Sequence, residues 1–78
     1  MSTDDKLIYM ANQIAKFFAA QGEARAAAGV ANHLQQFWDP QMRRTLLAIA
    51  ALDSSRLHPA VKLALPMLKP EMLRPGAS

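Results

Sequence analysis

The stretch HLQQFWDPQMRR, residues 33–44, decides the fold. The residue before a proline is pushed out of helical geometry, whereas proline itself suits the first position of a helix. Asp39-Pro40 therefore ends one helix and caps the next with almost no loop between them, and Phe37 and Trp38 are expected to bury themselves at the corner. Upstream, the apolar period predicts a helix over 23–37 with Ala27, Val30, Leu34 and Phe37 facing inward. Downstream, it predicts a helix over 40–52 that buries Met42, Leu46, Ile49 and Ala50, with Leu47 at the edge. Asp53, Ser54 and Ser55 break that helix.

The same device recurs at His58-Pro59, which starts a short helix over 59–68 with Val61, Leu65 and Leu68 inward and Pro66 kinking or fraying it. At the other end, Thr3 or Asp4 is suited to cap a helix over 5–21, with Asp4 and Asp5 near its positive end and Gly22 closing it. The apolar groups of this helix run from Leu7 and Ile8 through Met10, Ala11, Ile14 and Ala15 to Phe17 and Phe18. They fill an arc of about 180°, wider than the ~100° stripe of an ordinary amphipathic helix. A domain this small can cover so broad an arc only in part. Gly29, in the middle of the second helix, costs about 1 kcal/mol relative to alanine. It implies close approach of a neighbouring helix, either helix one or three of this chain or a helix of another protein. No stretch alternates with strand periodicity and no repeat is visible. The expectation is an all-α chain: a small bundle of three main helices plus a short fourth, forming a single domain over 1–68, with a flexible tail over 69–78.

At 78 residues the chain has room for one core, near the size where independent stability becomes marginal. The absence of cysteine excludes disulfides, thiolate nucleophiles and thiolate metal cages. The opening MSTDDK is acidic where a secretory signal would be basic, and no apolar run approaches the ~18 residues of a membrane span, so a soluble cytoplasmic protein is expected. Net charge is +3 but unevenly placed: residues 1–39 carry three basic and four acidic groups, residues 40–78 six and two.

Catalytic chemistry finds little support. Ser54 and Ser55 lie in a loop and His33 on a helix, with no spacing that joins them as nucleophile and base. His33 and His58 have no partner at metal-ligand spacing, and His33, about 60° from the centre of its helix's apolar face, reads as a boundary histidine. Gly22, Gly29 and Gly76 are too dispersed to cradle a phosphate. Arg43 and Arg44 carry two readings. In one, Arg43 pairs with Asp39 four residues back and Arg44 is solvated; in the other, the pair grips carboxylates or phosphates of a partner. Phe37 and Trp38 beside them have the composition of an interface hot spot.

The segments DKLIYMANQIAKFFAAQ and GVANHLQQFWDPQMRRTLLA, followed by LHPAVKLAL, resemble the small delta subunit of the bacterial NAD-dependent, molybdenum-containing formate dehydrogenases. The likeness covers roughly residues 5–68. It is most specific at Met10–Ile14, at Phe17-Phe18, and from His33 through Phe37, Trp38, Pro40 and Met42 to Arg43. Gln41 stands where relatives tend to place another arginine. The resemblance implies a non-catalytic subunit of an enzyme that oxidises formate to CO2 with NAD. In such enzymes the alpha subunit holds the bis-molybdopterin guanine dinucleotide and iron-sulfur clusters, and the beta and gamma subunits carry FMN and further clusters. The delta chain would hold no cofactor of its own and would bind the alpha subunit, for stability or for cofactor-dependent assembly. Its expected contact residues are Tyr9, Asn12, Gln13, His33, Phe37, Trp38, Arg43 and Arg44. The isolated chain could form a homodimer. Two alternatives remain: a transient assembly chaperone for the same enzyme, and a basic helical nucleic-acid binder. Dispersed basic residues argue against the latter, and neither nucleic acid nor membrane is expected as partner.

Overall fold

A computed structural model describes residues 2–68. Four α-helices follow one another: α1 (Thr3–Ala19), α2 (Glu23–Phe37), α3 (Pro40–Leu52) and α4 (Pro59–Ala64), the last continued by a 3₁₀ turn, Leu65–Met67. The residues 69–78 for which a flexible tail is expected lie outside the described ones.

Local chemistry explains each boundary. Ser2 caps α1: its hydroxyl accepts from the Asp5 amide at 3.1 Å while the Asp5 carboxylate accepts from the Ser2 amide. This reciprocal box satisfies two orphan amides, and it starts the helix ahead of the caps expected at Thr3 or Asp4. The α1 helix ends at Ala19 rather than 21, because Gln21 and Gly22 turn back onto the carbonyls of Phe18 and Ala19. Gly22 has φ +140°, a conformation closed to side-chain-bearing residues, and so permits the sharp entry into α2. Asp39 caps α3 through Met42 N–H at 2.9 Å, with Pro40 in the first turn. His58 caps α4 in a less usual way, its Nδ1 accepting from Ala60 N–H at 3.0 Å. Pro66 shortens α4, as its ring predicts, and the tighter 3₁₀ turn takes over where the expected helix would have run to 68.

The core gathers Leu7, Ile8, Ala11 and Ala15 of α1, Val30 and Leu34 of α2, Trp38 at the corner, Leu46 of α3, Leu57, and Val61, Ala64 and Leu65. Met42, Leu47, Ile49, Ala50 and Leu68 pack against it partly buried. Small residues let α1 and α2 lie close. A Cβ added at Gly29 would stand 2.5 Å from the Phe18 ring, so the approach that Gly29 serves is that of helix one. Asn12 ties the 53–58 loop to α1. Its amide donates to the Arg56 carbonyl at 2.9 Å and accepts from His58 N–H at 2.8 Å. Alongside, Arg56 pairs with Asp5 at 2.9 Å.

One core assignment is overturned. Phe37, expected to face inward with Trp38, is 70% exposed, whereas Trp38 is 5% exposed. The chain leaves helical geometry at Trp38 (φ −89°, ψ 141°), and the indole, not the Phe37 ring, turns into the core.

Candidate partner-binding surface

Four rings form a row across α1 and α2. Phe17 and Phe18 meet edge to face with centroids 5.2 Å apart, Phe18 meets His33 at 6.5 Å, and His33 lies 4.8 Å from Phe37. Phe18 and His33, in the middle, are partly covered. The two ends are open: Phe17 is 62% exposed and Phe37 70%. Met10 and Gln13, at i−7 and i−4 from Phe17, extend the same strip of α1, and Tyr9 beside them accepts a hydrogen bond from Gln13 at 3.0 Å. Most of the broad apolar arc of α1 is thus covered, Ile14 and Phe18 packing against the core beside its buried residues. Leu7, Ile8, Ala11 and Ala15 fill the core, and the Met10–Phe17 edge remains in solvent.

The corner behind Phe37 is held from within. Arg43, 6% exposed, sends Nη1 to the carbonyls of Leu34, Gln35 and Trp38, at 3.1 and 3.0 Å for the first two. These oxygens lie at the C-terminal end of α2, where the helix dipole is negative, and the Leu34 carbonyl also accepts from the Trp38 amide at 3.2 Å. A guanidinium from the next helix therefore closes the preceding one. Arg43 Nε is buried without a partner. The expected Arg43–Asp39 ion pair is absent among the described residues, because Asp39 faces the amide of Met42 and Arg43 faces the carbonyls.

The structure divides the sequence-predicted contact residues into three groups. His33 and Phe37 lie together on the aromatic row, and Tyr9 and Gln13 share the exposed strip of α1. Trp38 and Arg43 are inside the corner, and Asn12 is engaged with the 53–58 loop. Arg44 is exposed on α3, its Nη2 3.5 Å from Gln41 Oε1. Phe17, Phe18 and Met10 were not among the predicted contacts, although the over-wide apolar arc of α1 was the signal that pointed to them. Among the described residues no cluster of three His, Cys, Asp or Glu side chains could hold a metal ion, and no helix is long and apolar enough to cross a membrane.

The model of the NADH-dependent formate dehydrogenase delta subunit family, FdsD, matches residues 6–65. The chain belongs to this family. The matched span of this FdsD-family chain takes in most of α1 and all of α2, α3 and α4, and with them the whole aromatic row and the Arg43 corner. No curated protein and no solved structure matches it significantly.

Proposed function

We propose that this delta subunit is a non-catalytic component of a formate dehydrogenase complex, and that it binds the large molybdenum-bearing alpha subunit through the α1–α2 aromatic face. Beta and gamma subunits complete the assembly. The bis-molybdopterin guanine dinucleotide, iron-sulfur clusters, FMN and the NAD site belong to those larger chains. The task of this one is to stabilise the alpha subunit or to hold it ready for its cofactor, in the cytoplasm.

The observation that carries the reading is the continuous ring row with two open ends, in a chain of the FdsD family. Exposed aromatics that are already ordered lose little freedom on docking and bury a large apolar area, which is how a few residues dominate an interface. The other open apolar side chains, such as Leu52 and Leu63, stand on separate elements without a connecting row. Arg43 and Trp38 contribute indirectly, by fixing the corner that turns Phe37 outward. Tyr9, Gln13 and His33 supply polar atoms at the margin.

The test is co-expression of the tagged chain with the alpha, beta and gamma subunits. Phe17→Ala/Phe37→Ala is expected to keep the helical circular dichroism of the chain while losing most of the co-purified alpha subunit. Undiminished recovery of alpha and full formate oxidation with the double variant would remove the aromatic face from the account. Active enzyme purified without a stoichiometric delta chain would favour transient chaperone action.

A further inference from the structure

Two exposed cations stand beside the aromatic face, with no ion pair to a carboxylate among the described residues. Arg25 lines the groove that Phe18 and Gly29 form between α1 and α2. Lys6 stands one turn before Met10 and three turns before Phe17 on the same strip of α1. Both are exposed. The described carboxylates are engaged within the chain or lie away from the rings, although Asp39 is exposed two residues past Phe37 and Asp5 shares a groove with Tyr9. Asp5 is paired with Arg56, Asp39 with the Met42 amide, and Asp53 with the Ser55 amide. Glu23 borders a different groove, with His58 and Pro59. Asp4, one turn before Ile8, falls on the opposite, core-facing side of α1.

Resting on the subunit reading above, we infer that the surface receiving this face is a protein surface with an apolar floor and an acidic rim, Asp or Glu side chains meeting Lys6 and Arg25. Complementary rim charges steer encounter and fix register, while the rings supply the desolvated centre. Two cations flanking four contiguous rings fit a protein better than a nucleic acid, which needs a file of cations tracking its phosphates. Rim pairs of this kind are screened by salt, so the inference has a signature that apolar docking lacks.

The experiment is recovery of alpha subunit on the tagged full-length chain from co-expressing cells, compared across washes of about 50 and 500 mM salt. Wild type should lose alpha progressively as salt rises. Lys6→Glu/Arg25→Glu should reduce recovery on the order of tenfold at low salt and flatten the salt dependence, with the thermal transition of the isolated chain unchanged. Lys6→Gln/Arg25→Gln should fall between. If the charge-reversed chain recovers alpha as well as wild type while Phe17→Ala/Phe37→Ala does not, the acidic rim is overturned and the subunit reading survives. If wild type recovers no alpha at any salt, both fall. A gel shift of a single-stranded oligonucleotide at low salt, abolished by the same reversal, would replace the acidic protein with nucleic acid.

Discussion

At Arg43 a guanidinium sits inside the corner and donates to three backbone carbonyls. Removing it takes a charged donor from the carbonyls of Leu34, Gln35 and Trp38, and Arg43→Ala is expected to cost about 2–4 kcal/mol. Urea denaturation measures this; a loss under about 0.5 kcal/mol would show that the corner does not depend on the guanidinium. Gly29 makes a second residue-scale prediction. Alanine there gains about 1 kcal/mol in helix propensity, but its methyl would enter the Phe18 ring. Crowding of that kind costs about 1–3 kcal/mol, so Gly29→Ala should be net destabilising, and Phe18→Leu introduced beside it should recover part of the loss. Neither the burial of Arg43 nor the exposure of Phe37 was legible in the sequence. A helical wheel places Phe37 beside Val30 and Leu34, but it does not register that the chain leaves the helix one residue later and sends Trp38 inward instead. Likewise, four-residue spacing proposes Asp39 as the partner of Arg43, whereas carbonyls at the end of a preceding helix leave no mark in any residue type.

Elements were far more legible than side-chain partners, because their boundaries rest on backbone chemistry that Pro, Gly and Asp announce. Asp39-Pro40, His58-Pro59 and Gly22 mark the joints, and the joints lie there. The start of α1 was displaced by one choice among several good caps: Ser2 wins because Asp5 stands three residues on and completes the box. For α3, Asp39→Ala is expected to lower stability by about 1 kcal/mol, and Asp39→Asn by less, since an amide oxygen still accepts from the Met42 amide. The α1 start also makes stability depend on acid. Hydrogen bonds from Arg56 and from Ser2 hold the Asp5 carboxyl below its ordinary value of 3.8. A carboxyl depressed in the folded state stabilises above the unfolded value, and that contribution disappears as pH falls through the folded one. The difference in thermal midpoint between wild type and Asp5→Asn should accordingly be largest near neutrality and shrink below about pH 4. A gap that stays constant down to about pH 2 would remove Asp5 as its source.

Across the whole molecule, the sequence showed an excess of apolar surface without showing where it would lie. The width of the α1 arc implied that something is left uncovered; only the packing of α2 against Phe18 and the outward turn of Phe37 join the excess into one face. Phe17 and Phe37 are mostly exposed, so truncating both should leave the thermal midpoint of the isolated chain within about 3 °C of wild type, since surface substitutions rarely move stability further. A larger drop would reassign the face to internal support. The single tryptophan gives the molecule a built-in optical gauge. With its indole enclosed at the bend between α2 and α3, intrinsic emission should be blue-shifted in the native chain and move to the red when that bend opens, so loosening of this joint can be followed in dilute solution without any added dye.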